Sequence, residues 1–177
     1  MVVFFIKRTP QEKVIRECLG HLYNISDYTI INQINKGLYE IIEAADKLNP
    51  PQKGVGLKQY PEANEYLSFG YDKYCTERVV NQMSANGWHM FYRKIAYNKE
   101  FTVELKDISL EKYFEFKDEK KIAYNFKVTL IIDYVNTDKV ETVYEKGYVN
   151  VVKVNNEWRI DGLGVKELGD VFLDDMR

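Results

Sequence analysis

Every second residue from Ile122 to Tyr134 is apolar: Ile122, Tyr124, Phe126, Val128, Leu130, Ile132 and Tyr134. Side chains alternate across a strand, so this run predicts one face buried and one face turned away from the core. A valine-rich run, Tyr148 to Val154, follows. Asn155-Asn156 joins it to Trp158-Arg159-Ile160-Asp161. Two asparagines tolerate positive φ and suit a two-residue hairpin turn. The second half of the chain therefore reads as an antiparallel sheet.

The first half has the helical period instead. Thr9-Pro10-Gln11-Glu12 carries a capping box with proline at the first helical position. Val14, Ile15, Cys18, Leu19 and Leu22 continue it as an apolar stripe. Ser26 or Asp27 is expected to cap a second helix, with the stripe Tyr28, Ile31, Ile34, Leu38, Ile41, Ile42 and Ala45. Glu62 to Asn86 reads as a third helix in two pieces meeting near Gly70, stopped by Gly87 in a left-handed conformation. Residues 49–61, with three prolines and two glycines, form a long connection that reads either as a lid or as an ordinary excursion. Trp88 to Tyr97 is mixed and compatible with a strand. Phe101-x-Val103-x-Leu105 and Tyr113 to Phe116 are strand-like.

The expectation is an α+β fold: three N-terminal helices packed on a strongly curved antiparallel sheet of four to five strands, cone-shaped. Residues 9–177 form one domain, and residues 1–8 are an N-terminal arm or the remnant of an anchor. A chain of 177 residues is short for two domains. Val2 to Ile6 is too short to span a bilayer, which takes about 20 residues. A packing arm and a truncated anchor both fit it. The body is thus cytoplasmic or extracytoplasmic and tethered, with membrane contact only through a missing anchor. Lys7-Arg8 on the body side argues mildly for the cytoplasmic side.

Net charge is −2 and no basic stripe is visible, so no nucleic-acid partner is expected. Cys18 and Cys75 fall on apolar stripes and read as two buried thiols; pairing would need their Cα atoms within about 7 Å. Cys18-x-x-His21 lacks a second ligand pair, so no metal or other cofactor is expected.

The last hairpin, Gly147 to Asp161, ends in Lys153-Val154-Asn155-Asn156-Glu157-Trp158-Arg159-Ile160-Asp161. It resembles the close of the nuclear transport factor two-like superfamily, also called the cystatin-like or SnoaL-like cone, and the helices-then-sheet order matches over about residues 9–165. The resemblance implies the cone fold and says little about function, since its members include isomerases, dehydratases, adaptors and scaffolds. In Gram-positive bacteria similar domains occur in membrane-tethered conjugation machinery. Enzymes of this fold place a carboxylate or a His–Asp pair inside the cone, and the sequence offers no convincing one. Asp133 is out of phase, and Glu141 and Glu145 share a face expected to lie opposite lysines. No catalytic residue is assigned.

The pocket candidates are Tyr124, Phe126, Tyr134, His89 and Trp158. Ile131, Val135 and Val151 are apolar positions assigned to the outer face, and so are interface candidates. The reading is a non-catalytic bacterial domain that binds a protein partner or pairs as a homodimer, as a scaffold or accessory of conjugation or envelope machinery. The alternative is a pocket for a small apolar ligand, with isomerase- or dehydratase-like chemistry.

Overall fold

The structure, a computed structural model, describes residues 8–48, 69–116 and 120–173. The arm at 1–7, the connection at 49–61, the first part of the third expected helix and the turn at 117–119 lie outside the described residues. Helix α1 spans Pro10–Tyr23, α2 Ile30–Leu48, α3 Glu77–Ala85 and α4 Phe91–Lys99. Four strands follow: β1 Phe101–Phe116, β2 Lys121–Tyr134, β3 Val140–Val154 and β4 Glu157–Glu167. A short helix, α5, covers Asp170–Leu173. The strands pair antiparallel in sequence order, in a curved sheet that does not close. The fold is α+β.

The capping box is formed: the Glu12 amide donates to Thr9 Oγ1 and the Thr9 amide to Glu12 Oε2. Helix α1 then buries Ile15, Cys18, Leu19 and Leu22 against the sheet. Every even-numbered residue of β2 from Ile122 to Ile132 is buried on the same side, as the alternation requires. Full burial of each such Ile or Leu contributes about 1.5–3 kcal/mol. Both hairpin asparagines have positive φ, 48° at Asn155 and 68° at Asn156. Gly87 ends α3 at φ 67°.

Three elements differ from expectation. The second piece of the third helix is not continuous from Gly70: residues 71–73 make a single 3-10 turn and Cys75 bridges to Ile160 before α3 begins at Glu77. Helix α2 starts at Ile30, because Ile25 first pairs with Val103 and Asp27 then accepts the Thr29 amide and hydroxyl in a tight turn. Trp88 to Tyr97 is a helical turn followed by α4, with no strand. Its buried residues Tyr92, Ile95 and Ala96 recur at helical spacing, which prevails over the strand preference of its aromatics.

Strand β1 carries two bulges. The register with β2 skips Lys106 and Tyr113. Phe101, Val103 and Leu105 face the core, and so do Ile108 and Leu110 after the first bulge. After the second, Phe114 lies opposite Ala123 and Phe116 opposite Lys121, on the outer face. Among the described residues no helix is long and apolar enough to cross a membrane.

Candidate functional site

Two places carry chemistry. The first is inside the curve of the sheet. Strand β3 buries Val143, Glu145, Gly147, Val149 and Val151 in one phase, so Glu145 points into the core with 0% exposure. Tyr23 at the end of α1 donates to Glu145 Oε2 at 2.8 Å, and Tyr92 of α4 donates to the same oxygen at 2.6 Å. The Gly169 amide donates to Oε1 at 3.0 Å. Phe172 of α5 stands edge-on to Tyr92, with ring centres 4.8 Å apart, and closes the site from outside. Burial pushes the Glu145 carboxyl above its ordinary value, while the donors from Tyr92, Gly169 and Tyr23 oppose that rise. Burial also holds both tyrosines well above theirs, so they remain donors. A carboxylate engaged by three donors is chemically satisfied.

The second place is a groove of about 690 Å³ on the outer face of the sheet. Its walls include Tyr113, Phe114 and Phe116 from the end of β1, with Tyr148 and Lys166 on the other side. Tyr113 is 74% exposed, Phe114 51% and Phe116 43%. The Phe114 and Phe116 rings touch at 4.4 Å between centres. The Tyr148 ring packs against Gly164, where an added Cβ would sit 2.6 Å from it, and Lys166 Nζ stands 5.7 Å from that ring's centre. Beside the groove, Asp161 is the extra residue of a bulge in β4 and joins Arg78, Lys121 and Thr76. Burial alone would raise its carboxyl, but Arg78, Lys121 and Thr76 together hold it below the ordinary value.

The residues singled out from sequence are spread over the molecule. Tyr124 and Phe126 are core residues of one strand, and Tyr124 also reaches the groove. Tyr134 lies ten residues beyond Tyr124, roughly 33 Å measured along β2, and packs on Phe101. Trp158 is half-buried opposite Lys153. His89 is buried, its Nδ1–H donating to the Met83 carbonyl at 3.1 Å, so it ties off the end of α3. Ile131 is a half-buried outer-face residue, and Val135 sits in the turn after β2, donating to the Glu100 carbonyl. Val151 is fully buried on the helix side, which corrects its assignment to an outer interface; the outward residue of that pair is Val152. Glu141 and Glu145 do share a face, but Glu145 lies opposite Val128 in the core, not opposite a lysine. Among the described residues no three His, Cys, Asp or Glu side chains converge as a metal site.

No family model matches the chain, and no curated protein matches it. Solved structures with some likeness include the intermembrane-space region of the chloroplast protein ARC6, at 9% identity and TM-score 0.40, covering 75% of this chain and 96% of that one. Another is transfer protein TraH from the Gram-positive conjugative plasmid pIP501, at 13% identity and TM-score 0.45, covering 93% and 97%. Likenesses this weak assign neither a family nor a function.

Proposed function

We propose that this chain is a non-catalytic, cone-fold binding domain that recognises protein, its partner being a second copy of itself. The helices-then-sheet order and the asparagine hairpin support the cone of the nuclear transport factor two-like kind. The setting attached to this reading is a scaffold or accessory role in bacterial conjugation or envelope machinery, on the resemblance of the last hairpin.

The observation that carries the reading is the exposed aromatic end of β1. The bulge at Tyr113 turns Phe114 and Phe116 out of the core side and onto the groove. A stretch this apolar on a strand at the edge of a sheet is a pairing surface. Antiparallel pairing of a strand with its own copy is two-fold by construction, so it closes as a dimer. Lys112 and Glu115, paired with each other in one chain, supply both charge signs for the same exchange across the axis.

Sedimentation velocity over a concentration series tests this. The wild-type chain should shift from monomer to dimer, and Phe114→Glu with Phe116→Glu should stay monomeric with an unchanged circular dichroism spectrum. A wild-type chain still monomeric near 1 mM, where association is worth less than about 4 kcal/mol, would exclude the dimer.

Glu145 favours a second reading, a small-molecule pocket of isomerase or dehydratase kind with this carboxylate as base. Apolar ligands would then raise the melting temperature of the wild type and not of Glu145→Gln. A ligand panel that moves neither chain removes that reading.

A further inference from the structure

Cys18 and Cys75 are 57 residues apart in sequence, yet their Sγ atoms meet at 4.0 Å. Each is fixed by its own framework. Cys18 sits on the core side of α1 with Ile15, Leu19 and Leu22. Cys75 is held against β4: the Ile160 amide donates to the Tyr74 carbonyl and the Thr76 amide to the Ile160 carbonyl, both at 2.8 Å. The Cys75 amide donates to the Tyr71 carbonyl at 2.8 Å. The two thiols are the chain's only cysteines, and both are buried, at 0% and 4% exposure.

We propose that Cys18 and Cys75 are a disulfide site, which closes when the chain folds in contact with a small-molecule or oxidoreductase disulfide. The sulfurs must approach by about 2 Å to reach the bonded distance of about 2.05 Å, a movement shared between two side-chain rotors. The thiolate of one cysteine attacks the oxidant's disulfide, forming a mixed disulfide and releasing one thiol. The other cysteine's thiolate then attacks the protein sulfur of that mixed disulfide and releases the second thiol. The protein loses two S–H bonds and gains one S–S bond, and the oxidant takes up the two electrons and two protons. In the folded chain, contact with Cys75 and burial together hold the Cys18 thiol well above its ordinary value. Exchange therefore happens before α1 and the 69–76 segment pack, and burial then shields the finished bridge.

The bridge joins α1 to the flank of β4 and closes a long loop containing α2 and residues 49–68. Chain entropy for a loop of this length biases the bridge and the native fold toward each other by about 10³-fold. It is independent of the groove at β1.

The full chain, unfolded in urea, is equilibrated with reduced and oxidised glutathione, refolded in the same buffer, alkylated and weighed. The expected product is a chain two hydrogens lighter, unalkylated, whose digest holds one peptide pair joining Cys18 to Cys75. The equilibrium constant for the bridge should be about 10³-fold larger under native conditions than in urea. Two alkylated cysteines after refolding, an equal constant in both conditions, or bridges only between chains would each overturn the proposal. Thermal melts give a second arm that needs no refolding. Dithiothreitol should lower the melting temperature of oxidised wild type and leave Cys18→Ala/Cys75→Ala unmoved; equal responses would also refute the bridge.

Discussion

Glu145 shows how a single residue can be legible in register and illegible in chemistry. Val143-x-Glu145-x-Gly147-x-Val149-x-Val151 alternates, and the alternation alone places Glu145 in the core. Its residue type points the other way, since a carboxylate is rarely fully buried unless paired. The partners that resolve the conflict, Tyr23 and Tyr92, lie 122 and 53 residues away, and no local pattern announces them. The arrangement has a pH signature. Burial sets the folded pKa of Glu145 above the ordinary 4.5, so between those two values the folded chain binds more protons than the unfolded chain. Stability from this group is therefore complete below the ordinary value and falls as pH rises through the folded one, by at most about 1.4 kcal/mol per pH unit. Asp161 acts oppositely: its folded pKa lies below the ordinary 3.8, so its contribution is present above that value and is lost on acidification. Urea unfolding across pH 3 to 8 should show Glu145→Gln without the falling arm that wild type has above about pH 4.5. Parallel profiles for the two chains would mean that the Glu145 carboxyl titrates alike folded and unfolded.

At the scale of elements, β2 is readable because its period is unbroken. Strand β1 is not, because bulges at Lys106 and Tyr113 reset its phase twice. A fixed alternation from Phe101 would send Ile108 and Leu110 outward, whereas the first bulge turns them inward; the second bulge restores the starting phase and leaves Phe114 and Phe116 on the outer face. The close approach of β4 to β3 is similarly hidden. Gly147 leaves room for the Phe126 ring beneath it, and an added Cβ would fall 2.4 Å from Phe126 Cζ and 2.2 Å from the Gly164 carbonyl oxygen. One of those obstacles is backbone and cannot rotate aside. Gly147→Ala should therefore cost at least about 3 kcal/mol, the upper end for overpacking. Gly87→Ala, strained by its positive φ but facing open space, should cost only about 1 kcal/mol. Urea midpoints of the two variants measure the difference, and equal losses would show that the β3–β4 spacing yields without strain.

For the whole molecule, the question is where an unclosed sheet ends. On the β4 side, the chain at Tyr74–Thr76 pairs with Ile160 and covers part of the edge. On the β1 side, Ile25 pairs with Val103, the Asn24 side chain accepts the Leu105 amide, and Arg16 donates to the Ile108 carbonyl. From Ser109 to Phe116, β2 is the only strand neighbour of β1 among the described residues, and all six residues from Glu111 to Phe116 are exposed. An edge with no further strand beside it among the described residues, next to exposed aromatics, is the feature that natural sheets otherwise suppress with charge, proline or cover. Hydrogen exchange can tell an interface from a mere edge. In dilute protein the Ser109–Phe116 amides should exchange fastest in the sheet, and the core amides of Ile122–Ile132 slowest. As concentration rises through the dimerisation range, exchange in Ser109–Phe116 should slow while that of Ile122–Ile132 stays fixed, because only the first set gains new backbone partners. If protection in Ser109–Phe116 does not change with concentration while the protein dimerises, the dimer forms elsewhere and the open edge of β1 is not its seam.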